Sequence, residues 1–386
     1  MKRRSFLSHS SKTAALLAAG TAPAYLKSHA QKPEGKLGVA LVGLGGFSET
    51  SIAPEIAKSK HVWFAGAVTS DPGGKGKEWA KQYGFPETNL YTYEEMDKLA
   101  DNPDIDFVHI VTPNGLHAEH SIAAANAGKH VMCEKPMAVT AEECRAMIAA
   151  AEENNVLLGS SYRLHWEPHH QKLMEFTEKQ TYGVPKSITT EFSWNRRDNK
   201  PWLLDKALAG GGAFFDTGVY TIQAGCYATG EAPISAVAHP TTTRDVYPDG
   251  IEETMSAILQ FPGGAVMTAR ASYAYGNHLF TVAADKGTYR IEPDASESGR
   301  GSIFGQSGRG NVNGKRLEVL RFGKIETIKF PDVFQLANLH DAFAESILNQ
   351  TPFKADGEMG LRDIIITEAI YESAAQGGKE VPIVYS

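Results

Sequence analysis

Cysteine is scarce in this chain. Cys133, Cys144 and Cys226 are the only three in 386 residues, an odd count without zinc-type spacing. That argues against a disulfide-stapled scaffold or a thiolate metal site and leaves buried free thiols as the expectation. Beyond residue 30 no run is apolar enough to span a bilayer. Positive charge is not in surplus either: 38 basic residues face 45 acidic ones, a net −7. Five of those bases and none of the acids fall in residues 1–30, so the remainder holds 33 against 45 and stands at −12. An acidic body of this kind argues against nucleic acid and anionic lipid as partners.

The exception is the leading segment. It carries Lys2, Arg3, Arg4, Lys12 and Lys27, a weakly apolar stretch from Thr13 to Ala24, and the small-residue ending Ser28-His29-Ala30. Basic, apolar and small-residue parts in that order read as an export signal rather than an anchor or a basic tail. The order Arg3-Arg4-Ser5-Phe6-Leu7, with Lys27 near the cleavage point, looks like the twin-arginine type, whose machinery carries folded proteins. The expectation is a 1–30 signal peptide, a periplasmic location, the twin-arginine export machinery as a partner and no membrane anchor after processing.

The remaining 356 residues call for two domains. From Leu37 to Ser161, short β-branched runs (37–43, 62–70, 106–113, 129–134, 156–161) alternate with stretches of helical spacing, as in a parallel sheet with right-handed crossovers. After a helical patch near 168–181, seven strand-like runs follow one another with Gly, Pro and Asp turns, which predicts a large open, mostly antiparallel sheet. Helices near 336–348 and 361–375 close the chain, and the Gly- and Ser-rich stretch 296–314 reads as a surface loop. The predicted class is α/β: a Rossmann dinucleotide-binding domain over 37–161, then an α+β domain over 162–386.

"VALVGLGGFS" sets Gly43, Leu44, Gly45, Gly46 and Phe47 between the first strand and a helix. Glycine there allows a tight turn and close approach of backbone N–H groups to a pyrophosphate. Ser48 stands where the fingerprint would have its third glycine. At the end of the second strand, Ser70 with Lys75 would hold a 2′-phosphate and favour NADP, whereas Asp71 in the terminal position would repel it and favour NAD. The register leaves both open.

"VTPNGLHAEHSIAAANAGKHVMCEKPMAVTAEE" (111–143) and "AGGGAFFDTGVY" (209–220) are similar, in order, to the two signatures of the Gfo/Idh/MocA oxidoreductases, and "YRLHWEP" and "PWLLDKALAGGG" resemble the glucose-fructose oxidoreductase branch of that family. The resemblance runs from Leu37 to the C-terminus. It implies hydride transfer between a sugar and a bound nicotinamide, and its serine-to-lysine spacing after the second strand turns the cofactor expectation to NADP. A long arm ahead of the first strand, present in that branch, is reduced here to "QKPEGK".

Hydride transfer from a sugar carbon needs a group to take the hydroxyl proton. Lys135 follows a strand at the carboxyl edge, where doubly wound sheets bind ligands, and Pro136 stiffens its turn. Asp216 and Tyr220 are four residues apart, so on a helix both face one way. Tyr220 is the expected proton donor and acceptor, Lys135 its electrostatic partner and Asp216 the substrate-orienting acceptor. The resemblance puts Glu134 and Arg163 at the cofactor and Trp202 and Tyr273 near the substrate, while Thr112, Pro113, Asn114 and His117 are expected to line the cofactor cleft. His165, His169 and His170 lack converging acids or cysteines, so no metal site and a solvated loop are expected. An NAD-dependent glycosidase and a non-catalytic sugar-binding protein are the alternatives. A homo-oligomer formed through the open sheet is also expected.

Overall fold

The computed structural model describes residues 32–196, 200–293, 303–304, 315–331 and 333–385. The expected signal peptide and, apart from Ile303 and Phe304, the stretch 296–314 lie outside them. The first sheet has β1 (Leu37–Val42), β2 (Val62–Val68), β3 (Leu90–Tyr91), β4 (Phe107–Ile110), β5 (His130–Cys133) and β6 (Leu158–Ser160). Their order is β3-β2-β1-β4-β5-β6, all parallel. Both faces are covered by helices, so β1 is buried at every position, which is why these strands read as continuous apolar runs. Chain order reverses between β1 and β4, opening the ligand crevice of a doubly wound sheet at their carboxyl ends.

The second sheet adds β7 (Pro185–Ser193), β8 (Ser235–Thr241), β9 (Thr254–Gln260), β10 (Val266–Ser272), β11 (Asn277–Ala284), β12 (Gly287–Pro293), β13 (Lys315–Arg321), β14 (Lys324–Ile328) and β15 (Val381–Pro382). The nine run β14-β13-β12-β11-β7-β10-β9-β8-β15, and only β7 with β10 is parallel. Alternation gives it one packed face: Met255, Ala257 and Leu259 of β9 and Met267, Ala269 and Ala271 of β10 are buried, while Ile258 and Val266 point outward, 46% and 44% exposed. Helices Val219–Thr229 and Gly357–Ala375 lie on the packed face. Gly225 lets the first of them approach, since a Cβ there would sit 2.3 Å from Met267 Sδ. That helix is buried along almost its whole length, and its N-terminal end carries Tyr220 toward the crevice of the first sheet.

Four residues depart from expectation, among them His165, which is half-buried in the helical turn Arg163–Trp166 with its Nδ1 3.3 Å from Tyr227 Oη. His169 and His170 are not in a solvated loop but fully buried at the start of helix Pro168–Glu178, each giving Nδ1 to a different oxygen of buried Glu167 at 2.6 Å. One carboxylate serves both rings and also caps the helix through the His170 N–H, so burial costs neither ring a lost partner on that side. Tyr273 does not face the crevice; it is 1% exposed and acts on it from behind, as described below. Among the described residues no group of His, Cys, Asp and Glu could hold a metal.

Candidate active site

A cleft of about 460 Å³ lies between the carboxyl edge of the first sheet and the β7 side of the second. Loops after β1, β4, β5 and β6 supply Phe47, Thr112, Asn114, His117, Glu134, Lys135 and Arg163; the second sheet and its helix supply Arg196, Lys200, Trp202, Asp216 and Tyr220. A larger groove of about 740 Å³ runs past His130, Leu158 and Asp356. It lies where β5 and β6 begin, the edge opposite to the one where such sheets bind ligands.

The Gly-rich turn is built as a cradle. Gly43 has φ +99°, which only glycine adopts at little cost, and Ser48 Oγ donates to its carbonyl at 2.6 Å. The hydroxyl in the third-glycine position thus ties the turn together from inside. A Cβ on Gly45 or Gly46 would meet nothing within 4 Å, so open space faces the backbone where a pyrophosphate would lie. Helical bonding begins with Glu49 N–H to Gly45 C=O at 3.0 Å, which leaves the amides just before it for a ligand. These residues fit a dinucleotide. At the end of β2, Asp71 turns its carboxylate onto its own loop, accepting from Gly74 N and Lys75 N at 2.9 Å each, and those bonds hold it below the usual carboxylate range. Lys75 pairs with Glu49 at 3.0 Å, and Ser70 is exposed beside them.

At the heart of the cleft, Lys135 donates to the Asp216 carbonyl at 2.8 Å and to its Oδ1 at 3.3 Å, with its ammonium 5.0 Å from the Tyr220 ring centre. Burial works against that ammonium, yet Tyr220, Asp216 and Glu134 together leave its pKa above the ordinary value. It stays cationic and so acts as a donor and field, not as a base. Asp216 is likewise desolvated but held below its usual range by Lys135 and Arg196 and by the Tyr273 hydroxyl, which donates to Oδ2 at 2.8 Å. Arg163, buried, gives one N–H to Tyr220 Oη at 3.0 Å and others to Gln335 Oε1 and the Phe304 carbonyl, both at 2.6 Å. Since guanidinium only donates, the phenol oxygen accepts there and its own O–H is left for another acceptor.

Beneath the crevice, Glu134 accepts from Ser161 Oγ at 2.6 Å and lies 3.3 Å from His109 Nε2. Burial opposes its ionisation, and His109, Ser161 and Lys135 outweigh it. His109 Nδ1 in turn lies 3.0 Å from His340 Nε2 on helix Gln335–Asn349. His117 reaches the Pro136 and Thr112 carbonyls at 2.9 Å each, stapling the loop after β4 to the loop after β5.

The description of an oxidoreductase family with an NAD-binding Rossmann fold matches residues 37–162, and that of the GFO/IDH/MocA C-terminal domain matches residues 170–290. The chain belongs to the Gfo/Idh/MocA oxidoreductases. Its structure is similar to that of aldose-aldose oxidoreductase from Caulobacter crescentus, with TM-score 0.80 and 34% identity over 90% of this chain and 99% of that one. D-xylose 1-dehydrogenase [NADP(+)] from Haloarcula marismortui is 29% identical over 73% of this chain and 76% of its own length. D-xylose 1-dehydrogenase (NADP(+)) 2 from Haloferax volcanii is 29% identical over 87% of this chain and 97% of its own.

Set against the residues singled out in the sequence, this Gfo/Idh/MocA cleft brings together Phe47, Thr112, Asn114, His117, Glu134, Lys135, Arg163, Trp202, Asp216 and Tyr220. Gly43, Leu44, Gly45, Gly46, Pro113, Ser70 and Lys75 lie outside its lining, the glycines at the turn after β1 and the last two at the end of β2. Sequence reasoning missed Arg196 and Lys200, which follow β7 with no helical or strand spacing to mark them; only their sharing a stretch with Trp202 pointed that way. It also missed Phe192, Trp194, Thr217 and His278.

Proposed function

We propose that this chain is an exported NADP-dependent sugar oxidoreductase that passes hydride between a pyranose C–OH and a retained cofactor, with a second sugar carbonyl as acceptor. The observation that carries it is the Lys135–Asp216–Tyr220 group at the carboxyl edge of the nucleotide-binding sheet. Bound NADP would supply the hydride acceptor. Once its own proton has been passed to solvent, Tyr220 as the phenolate takes the hydroxyl proton, Lys135 steadies the negative charge, and Asp216 fixes the ammonium while accepting from a sugar hydroxyl. The first sugar gives up a hydride and a proton and leaves as an aldonolactone; the second takes both at its carbonyl and leaves as an alcohol. The printed names of the relatives, two NADP-dependent xylose dehydrogenases and an aldose-aldose oxidoreductase, support sugars and NADP. Asp71 supports NADP further, because its carboxylate is engaged by its own loop and Ser70 stands exposed next to it, while Lys75 would exchange Glu49 for the 2′-phosphate.

Export through the twin-arginine route explains why a cofactor would be retained: nicotinamide nucleotides are cytoplasmic, so an enzyme outside must carry its own. No helix among the described residues is long and apolar enough to cross a membrane. Native mass spectrometry of mature protein from the exported fraction tests the proposal. It should show one nucleotide per subunit and, through the open sheet with Ile258 and Val266 outward, more than one subunit. Protein that arrives without nucleotide and turns sugars over without one would defeat it.

A further inference from the structure

Tyr220 must shed its own proton before it can take one from a sugar, and in the opposite direction it must give a proton up to a carbonyl. Its oxygen carries charge in both cases, and that oxygen lies against a guanidinium. Arg163 Nη2 donates to Tyr220 Oη at 3.0 Å, with Cζ 5.0 Å from the centre of the ring. Lys135 meets the same ring at 5.0 Å, but its hydrogen bonds go to the Asp216 carbonyl and Oδ1. The ammonium faces the ring, while the guanidinium reaches the oxygen.

Resemblance to the family puts Arg163 at the cofactor, yet its fork is turned elsewhere. Nη2 also donates to the Phe304 carbonyl and Nη1 to Gln335 Oε1, both at 2.6 Å. Of the three acceptors, a phenol, a backbone carbonyl and an amide, only the phenol oxygen gains charge in the reaction, and a hydrogen bond from a cation strengthens as its acceptor becomes an anion. Arg163 and Tyr220 are both 4% exposed, and the Phe192 ring lies 5.4 Å from that of Tyr220, so water does little to screen the pair.

Gln335 is fixed in turn. It is the first residue of helix Gln335–Asn349, whose next two N–H groups, those of Leu336 and Ala337, donate to Glu55 Oε2 at 2.8 and 3.2 Å. Glu55 is buried in the short helix Ala53–Ile56, beyond the nucleotide turn. Because a guanidinium only donates, the amide presents its oxygen to Arg163. A carboxylate of the first sheet's layer therefore sets the helix end that carries the amide, and the amide sets the guanidinium.

We propose that Arg163 is a catalytic residue of the proton transfer, holding the Tyr220 oxygen while it is charged, and that Gln335 is the positioning residue that holds Arg163. This rests on the sugar oxidoreductase reading. In the oxidation the sugar O–H breaks and the Tyr220 O–H forms as hydride leaves the sugar carbon for the cofactor; in the reduction both move back. Arg163 keeps all its protons throughout, since a guanidinium stays charged at any working pH.

The test is single-turnover reduction of the bound nucleotide in NADP-loaded protein by glucose or xylose, with circular dichroism reporting the fold of each variant. Arg163→Met should lower the maximum rate roughly tenfold or more, the loss of one hydrogen bond to a charged oxygen, while nucleotide content and the half-saturating sugar concentration hold. Arg163→Lys, which keeps the charge without the fork, should recover part of that rate. Gln335 lies outside the cleft lining, so Gln335→Met leaves Arg163 in place without its acceptor. It should lower the maximum rate about threefold, again without moving half-saturation, and it carries the test should Arg163→Met not fold. A parental rate in Arg163→Met, or no gain in Arg163→Lys over it, overturns the inference. So does a higher half-saturating concentration at the parental rate, which would make Arg163 a sugar contact, or nucleotide lost while the loaded fraction keeps its rate, which would make it a cofactor ligand. A parental rate in Gln335→Met removes the role given to Gln335. A parent protein whose nucleotide neither sugar reduces sinks the sugar reading itself, and the inference falls with it.

Discussion

Asp216 is the point where both halves of the cleft meet, held by Lys135 from the first sheet and by Tyr273 and Arg196 from the second. Lys135→Met should abolish turnover while nucleotide still binds, checked by activity beside native mass; unchanged turnover would remove the mechanism. Tyr273→Phe deletes one hydroxyl that lies outside the cleft lining and donates to Asp216. Hydrogen bonds to charged groups contribute about 1.5–3 kcal/mol, so kcat should fall roughly tenfold or more with the circular dichroism spectrum intact. A kcat equal to the parent's would show that Asp216 needs no such support. At this scale the sequence pointed to Lys135, Asp216 and Tyr220 through the stretches that resemble the family's signatures, because residue types at fixed spacing are local, and the fold brings the three into one cleft. It did not place Tyr273 behind Asp216, since the two are joined only when β10 packs against the turn at 214–218.

Among the elements, the turn after β1 separates folding from binding within four residues. Gly43→Ala forces a side chain into left-handed backbone with Val111 and Thr112 atoms 3.1 Å from its Cβ, so the melting temperature should drop, by strain of about 1–3 kcal/mol. Gly45→Ala adds a methyl to open space, so the melting temperature should hold while NADP affinity falls, read by titration calorimetry. Equal affinity in Gly45→Ala would mean that the turn does not cradle the pyrophosphate. The parallel strands were legible because burial on both faces makes them apolar throughout, and the strands of the second sheet because one face alternates. Helix Val219–Thr229 has no periodic signature in the sequence: buried on nearly every side, it has no polar stripe to reveal a helical repeat. β8 and β15 carry no strand signature either, the first ending in His239-Pro240-Thr241 and the second only two residues long.

Across the whole molecule, acid is the foreseeable weakness. Burial lowers His165, His170 and His278 to about 4 and His340 further, so the folded protein holds these rings neutral. Above the unfolded histidine value of about 6.5 both states are neutral and nothing is lost. As pH falls toward 4 the unfolded chain binds protons that the folded one refuses, which costs about 1.4 kcal/mol per pH unit for each such ring. Urea melts from pH 7 to 4.5 should show stability falling, with a shallower slope in His170→Gln; parallel slopes would exclude His170 as a contributor. What the sequence alone determined was the parallel sheet followed by the mostly antiparallel one, the nucleotide turn and the stretches that carry Lys135, Asp216 and Tyr220, because these depend on neighbours within a few residues. The tertiary structure alone decided that Arg196 and Lys200 line the cleft, that Tyr273 donates to Asp216 from behind it, and that His169 and His170 are sealed in the core. Charge balance and burial are set by what the folded chain brings near from far along its length, and no local pattern encodes them.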